Sequence, residues 1–278
     1  MASHPLLQAF RSSKPAFGAW LTIPSIWAAR TVALASPHVS WVVVDCEHGL
    51  IPLQPGAADT IAAVAGLGPS APSVLVRIPA TGPAADGSAA WQIKYALDAG
   101  ARGVIVPMVS TAAQARSVVS ASRFPPSGIR GFGNPFTQAS WGLSVSDYLQ
   151  QANDSVLVLT QVETRQAVEN LDEICAVEGL DGLFIGPYDL SLSLGFPPPN
   201  PDPHPEVEKI IQNILRTAHA TGKKCAIYCI SGEKSAERAK QGFDMINVTS
   251  DSGAIADTIR TYFAAAVGET AGSRPVGY

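Results

Sequence analysis

The sequence predicts an α/β fold, a single (β/α)8 TIM barrel spanning residues 1–267, on three observations. Short apolar runs rich in branched residues recur eight times, helix-length segments separate them, and about 250 residues are spent on eight such units. Strands that alternate with helices pair in parallel, because each helix carries the chain back across the sheet. A doubly wound open sheet is the competing architecture. The lack of a Gly-rich turn after the first strand weakens its nucleotide-binding form.

In order, the predicted strands cover residues 17–23, 41–46, 73–78, 103–109, 155–162, 183–186, 225–230 and 245–248. They read as near-continuous apolar runs because a strand of a parallel sheet is buried on both faces. The predicted helices cover residues 24–35, 55–66, 88–99, 111–123, 164–177, 206–221, 233–241 and 254–266. Pro24 suits a first helical turn; Gly66, Gly100 and Gly242 suit helix ends, where a left-handed residue stops the helix. Residues 124–142 (FPPSGIRGFGNPFTQASWG) and 195–205 (GFPPPNPDPHP) are expected to form shaped binding loops at the end of the barrel that carries a site. Residues 268–278 are expected to be a flexible tail.

A chain of 278 residues, 46% hydrophobic and 15% charged, can bury a large core. The formal net charge of -4 and the absence of a Lys/Arg stripe argue against nucleic acid or an anionic membrane as partner. No apolar run approaches the ~20 residues that span a bilayer. The first fifteen residues carry neither an apolar core nor a cleavage-like end, so the cytoplasm is the expected location. Cys46, Cys175, Cys225 and Cys229 lie in strand-like or helix-like runs without metal-finger spacing, and buried free thiols are expected. Small molecules are the expected partners.

The chemistry lies at the ends of the predicted strands. Glu163 follows SVLVLTQV and Asp189 follows GLFIGP, so two carboxylates arrive at the C-terminal ends of consecutive strands. Such ends converge at one mouth, and two hard oxygen ligands there point to a divalent cation. The run VVVDCEH presents Asp45, Glu47 and His48 at the same mouth, with Asp45 and Glu47 on one face by alternation. Arg77, inside VLVRIP, needs an anion, either a core carboxylate or an acidic substrate. Asp98 ends a helix, where the dipole disfavours an acid; a solvated surface role accounts for it on the residues alone. In Gly186-Pro187-Tyr188-Asp189 a strand turns into a helix whose first N–H groups can bind a carboxylate, while Asp189 itself is either a helix cap or a ligand. The remaining histidines form no cluster. No nucleophile elbow and no lysine in a buried strand appear, so covalent catalysis is not expected.

Together GAW (18–20), WVVVDCEHG (41–49), IKYALDAGARGVIVPMVSTAAQAR (93–116), RFPPSGIRGFG (123–133), QVETRQAVENLDEI (161–174) and GLDGLFIGPYDLSLSLGFP (179–197) resemble the HpcH/HpaI aldolase family, the metal-dependent class II pyruvate aldolases. The resemblance runs from Gly18 to about Val267. It implies a C-terminal helix swapped within a dimer and a hexamer built as a trimer of dimers. It assigns Glu163 and Asp189 to Mg2+, Mn2+ or Co2+, Arg77 to the keto or enolate oxygen, His48 to base catalysis through a water, and Asp98 to orienting His48. Asp45 and Glu47 would sit behind the metal, and Gln161, Gly186, Pro187 and Tyr188 would contact the keto acid.

The implied reaction is retro-aldol cleavage of a 2-oxo-4-hydroxy acid to pyruvate and an aldehyde through an enolate. A decarboxylase of oxaloacetate, resembling macrophomate synthase, would use the same residues, and a non-catalytic keto-acid-binding barrel is the reading from another class. Three features depart from the family pattern: a longer link between Arg77 and Ile93, Tyr188 where a small residue or Asn is common, and no basic residue in 132–141. The last predicts a preference for uncharged or hydroxylated aldehydes over succinic semialdehyde.

Overall fold

Eight parallel strands close into a barrel in the computed structural model, which describes residues 3–79 and 89–270. They are β1 (Ala16–Leu21), β2 (Trp41–Asp45), β3 (Ser73–Arg77), β4 (Gly103–Val106), β5 (Leu157–Val162), β6 (Gly182–Ile185), β7 (Lys224–Ile227) and β8 (Met245–Ser250). Each pairs with its successor, and β8 returns to β1. All eight expected strands are present, differing only at their ends.

Alternation along the strands sorts side chains into two apolar layers. Inward-facing Trp20, Val43, Leu75, Ile105, Leu159 and Phe184 fill the barrel, while Val42, Val44, Val74, Val76 and Val104 pack outward beneath the helices. The interior is stacked on aromatic rings: Trp20 meets Phe184 at 5.1 Å, Tyr228 at 5.5 Å and Trp41 at 6.4 Å between centroids. Gly18 faces Trp41 because a Cβ there would come within 2.2 Å of the indole.

The N-terminal end of the barrel is plugged by α1 (Pro5–Arg11), which sends Leu6, Leu7 and Phe10 into the interior layer. Seven residues are too few to show a helical period, so this helix left no pattern in the sequence. His4, preceding it, is buried with Nδ1 against Ser73 Oγ at 2.7 Å and Nε2 against the Ser155 carbonyl at 3.1 Å.

The outer helices include α2 (Ile26–Leu34), α3 (Ala58–Ala65), α4 (Ala90–Asp98), α5 (Ala112–Ser122), α11 (Pro205–Ala220), α12 (Gly232–Gln241) and α13 (Asp251–Ala266). Several expectations are corrected. Ser25, not Pro24, starts α2, its side chain accepting the N–H of Ala28. Residues 55–66 divide into an irregular turn at Leu53–Ala57 and α3. Residues 164–177 divide into α8 (Arg165–Glu169) and α9 (Leu171–Cys175), broken at Asn170, whose side chain donates to the Ser110 carbonyl. Gly100 and Gly242 are left-handed as expected, but Gly66 is right-handed with φ -64.

The largest correction concerns residues 124–142. They follow α5 and lead through α6 (Thr137–Ser140) and α7 (Val145–Ser155) into the start of β5, which places them at the N-terminal end of the barrel, opposite its mouth. Trp141 Nε1 donates to the Gly100 carbonyl and Thr137 Oγ1 to that of Asp98. Residues 195–205 follow β6 and α10 (Pro187–Leu194) and do lie on the mouth side. Residues 80–88 of the link after Arg77 and residues 271–278 of the expected tail lie outside the described residues.

Burial drives the His4 imidazole down to about 3, outweighing its bond to Ser155. The unfolded chain therefore binds a proton below pH 6.5 that the folded chain refuses until about pH 3, so stability falls as pH drops through that window. Urea unfolding across it should show a slope shallower by up to about 1.4 kcal/mol per pH unit in His4→Gln than in wild type. Equal slopes would contradict a neutral buried His4.

Candidate active site

Asp45 ends β2 facing inward, and the register sets it directly opposite Arg77 on β3. Its Oδ1 accepts Arg77 Nε at 2.8 Å and its Oδ2 accepts Nη2 at 2.7 Å. Both residues are buried, Asp45 at 0% and Arg77 at 3% exposure. Of the two partners open to Arg77, the core carboxylate is the one found. Burial opposes ionisation of Asp45, but the hydrogen bonds and charge of Arg77 outweigh it and hold the carboxyl below its ordinary value. Asp45 Oδ1 also accepts the N–H groups of Glu47 and His48, at 3.1 and 3.3 Å. One carboxylate thus fixes both the guanidinium and the turn that carries the next two polar residues.

Arg77 lies over the Trp20 ring, 5.1 Å from its centroid, which with Asp45 leaves little freedom for its plane. Its Nη1 points toward Gln161 Oε1 at 3.4 Å and toward Glu47 Oε2 at 2.9 Å. The second contact is an ion pair without hydrogen-bond alignment, since that Glu47 oxygen has no hydrogen-bond donor. Glu47 is pushed up to about 8, first by burial and then by the charges of Glu163, Asp45 and Asp189, against the pull of Arg77.

Gln161 and Glu163 come from the end of β5. Glu163 is buried, with Oε2 accepting Gln161 Nε2 at 2.6 Å and Oε1 accepting the Met108 N–H at 2.6 Å. Met108 is left-handed, φ 57, a conformation that costs a residue bearing a Cβ and that aims this N–H. Gly186 supplies room rather than conformational freedom, since a Cβ there would lie 2.6 Å from Glu163 Oε2. Burial, reinforced by Asp189, raises the Glu163 carboxyl to about 7. Asp189 stands in the first turn of α10, whose N-cap is Gly186, so the alternative of a capping role for Asp189 is set aside. The ring of Tyr188 packs on Tyr228 at 6.5 Å.

His48 follows Glu47 at the mouth, its side chain 49% exposed and its Nε2 3.8 Å from Glu47 Oε2. Asp98 is not with it. It ends α4 at the N-terminal end of the barrel, where Lys94 and Arg130 bind its carboxylate, and Arg130 also donates to Tyr148 Oη at 3.0 Å. The barrel separates the two ends by about the length of β2, five residues or ~16 Å. Within one chain Asp98 therefore does not orient His48. Nor do residues 132–141 line this mouth, which removes the footing for the expected aldehyde preference. Arg77 keeps its place on β3 despite the long link after it.

Two participants left no sequence signal. A left-handed Met108 carries no compositional mark. Asp251, at the start of α13, accepts the N–H groups of Thr22 and Ile23 and the Thr22 hydroxyl, and so pins the loop after β1. The Thr22 carbonyl in turn accepts the N–H of Leu50, just beyond His48.

Four carboxyl groups, Asp45, Glu47, Glu163 and Asp189, thus gather around one guanidinium. When ionised they leave a surplus of negative charge, which adds to burial, the larger cause, in raising Glu47 and Glu163. A divalent cation fits such a surplus. Among the described residues no group of three or more His, Cys, Asp or Glu side chains forms a closed cage.

A family model described as HpcH/HpaI aldolase/citrate lyase matches residues 20–258. The 2-keto-3-deoxy-L-rhamnonate aldolase of Escherichia coli (strain K12) is 35% identical over 260 residues, 93% of this chain and 91% of its own. The hydroxypyruvate/pyruvate aldolase of Rhizorhabdus wittichii is 36% identical over 242 residues, 87% of this chain and 90% of its own. Among solved structures, an HpcH/HpaI aldolase/citrate lyase family protein from Burkholderia cenocepacia J2315 superposes with a TM-score of 0.83 at 30% identity, covering 95% of this chain and all of its own.

Removing the Asp45 charge should leave Arg77 buried without its two-toothed carboxylate partner. Asp45→Asn should cost about 3 kcal/mol in urea unfolding, and the double change Asp45→Asn/Arg77→Met should recover most of that loss. A double variant as unstable as the sum of the two single ones would show that the pair is not coupled.

Proposed function

Because the chain belongs to the HpcH/HpaI aldolase/citrate lyase family, we propose that it is a carbon–carbon lyase that cleaves 2-oxo-4-hydroxy acids to pyruvate and an aldehyde, with Glu163 and Asp189 as the protein ligands of Mg2+, Mn2+ or Co2+. The observation that carries this reading is the gathering of four carboxyl groups at the barrel mouth, with Asp45 and Glu47 paired directly with Arg77 and Asp189 close enough to act on Glu47 and Glu163. When bound, the cation supplies Lewis-acid stabilisation of the charge that develops on the keto oxygen.

The residues of the chain supply the rest. Arg77, held by Asp45 and Trp20, keeps Nη1 free of Asp45 and turned toward Gln161, so a fixed positive charge awaits the keto oxygen as it gains enolate character. Gln161 and the Met108 N–H hold the Glu163 carboxylate in one orientation. The turn Gly186-Pro187-Tyr188 presents the start of α10, where backbone N–H groups and the helix dipole suit the substrate carboxylate. His48, half exposed beside Glu47, removes the C4 hydroxyl proton as the C3–C4 bond breaks; the electrons of that bond pass into the enolate, which takes up a proton to become pyruvate.

The proposed assembly draws its support from surface left uncovered. α13 buries Asp251 and Gly253 in its first turn but exposes Ile255, Ile259, Tyr262 and Phe263. Beside it an apolar groove of about 370 Å³, lined by Phe17, Ala19, Val32, Val248 and Ala254, lies open on the outer face of β1 and β8. An uncovered apolar groove of this kind suits a helix from a second copy, which supports the reading of a swapped dimer, and a hexamer built from such dimers is part of the same reading. A pairing of Asp98 with His48 would arise only between subunits. No helix among the described residues is long and apolar enough to cross a membrane. The four buried free cysteines favour a reducing compartment, and the cytoplasm is the proposed location.

Pyruvate release from 2-oxo-4-hydroxy acids should stop on exhaustive chelation and return with Mg2+, Mn2+ or Co2+; full activity in a verified metal-free preparation would overturn the metal assignment. His48→Ala should slow aldol cleavage far more, by on the order of 100-fold, than it slows decarboxylation of oxaloacetate, which reaches the enolate without losing a hydroxyl proton. Equal losses in the two reactions would remove His48 from the role of base.

A further inference from the structure

We infer that the cavity at the N-terminal end of the barrel, opposite the mouth, is a binding site for a small organic anion bearing one carboxylate on an apolar body. The cavity measures about 430 Å³, within the range of small-molecule sites, and is lined by residues including His4, Ile61, Pro72, Arg102, Ser140 and Trp141. None of its lining residues is Asp or Glu.

Arg102 is the reason. The four fully buried arginines each meet a carboxylate: Arg77 meets Asp45, Arg123 meets Asp181, Arg130 meets Asp98 and Arg238 meets Glu208. Arg102 meets none among the described residues. Its backbone is stitched into the barrel rim, N–H to the Val74 carbonyl and carbonyl to the Leu157 N–H. Its guanidinium carbon lies over Trp141, 3.9 Å from the ring centroid, and the residue lines the cavity. A carboxylate entering the cavity supplies the compensating charge and the two parallel acceptors that a guanidinium edge takes.

The surroundings set the ligand's charge and shape. His4 is kept neutral by burial and has both ring nitrogens engaged, so the cavity offers a single positive charge. One charge matches a monocarboxylate and leaves a phosphate dianion half compensated. Ile61, Pro72 and Val74 add apolar surface to a lining that is otherwise largely polar, and that surface is where the body of a small organic carboxylate would rest. The site is separate from Arg77, which lies at the other end of the barrel.

Isothermal titration of the full-length protein with benzoate tests this. Wild type and Arg77→Met should bind benzoate alike, Arg102→Met should weaken binding by about tenfold or more, and inorganic phosphate should bind at least about tenfold more weakly than benzoate. No benzoate binding up to about 10 mM, unchanged binding in Arg102→Met, or loss confined to Arg77→Met would overturn the site. Tighter binding of phosphate would overturn the carboxylate assignment. Should Arg102→Met fail to fold, wild-type crystals soaked in 4-bromobenzoate decide: the anomalous bromine peak belongs in the cavity beside Arg102, and a peak found only at the barrel mouth contradicts the proposal.

Discussion

The two-toothed pair between Asp45 and Arg77 organises the mouth of the barrel. A guanidinium at 3% exposure persists only where its charge and its N–H groups are matched, and Asp45, at 0% exposure, matches two of those donors from the neighbouring strand. The same carboxylate accepts the N–H groups of Glu47 and His48. The position of the proposed base and the direction of the proposed enolate-stabilising cation are therefore set by one side chain. Trp20 completes the arrangement from below, its ring under Arg77 and its edges packed against Phe184, Tyr228 and Trp41. The aromatic core of the barrel is continuous with the floor of the site.

Above that pair the site is crowded with acids. Glu47 and Glu163 are raised toward neutrality first by burial and then by the neighbouring carboxylates. Glu163 is gripped on both oxygens, by the amide of Gln161 and by the N–H of a left-handed Met108. Gly186 leaves it space. Backbone strain, a side-chain hydrogen bond and a missing methyl group all serve to fix one carboxylate, which is where a ligand oxygen needs its precision.

Much of this was legible in the sequence because the barrel repeats one pattern. Alternation at VVVDCEH set Asp45 and Glu47 on one face, and the structure brings both against Arg77, because the period of two carries on just past the end of β2. Residues 124–142 were misplaced for a related reason, whereas Asp98 ends its helix as read and only its place beside His48, implied by the resemblance, is not met within one chain. Apolar spacing locates helices and strands but says less about which end of the barrel a long connection serves, and only the order helix, loop, strand assigns it to the N-terminal end. The helix α1 was too short to show a period, and α13 reads as an ordinary amphipathic helix although most of its apolar face finds no cover within one chain. Met108 was invisible because left-handed geometry there is imposed by its neighbours, not by its own side chain.

The claim at the centre of this account is that Glu163 and Asp189 together hold a divalent cation beside the fixed guanidinium of Arg77. Anomalous diffraction from crystals grown with Mn2+ and pyruvate tests it most directly. The account predicts a single strong manganese peak bridging the Glu163 and Asp189 carboxylates, with pyruvate oxygens completing the site and Arg77 still held by Asp45. A manganese peak elsewhere, or pyruvate bound at the mouth with no metal between those two carboxylates, would contradict it.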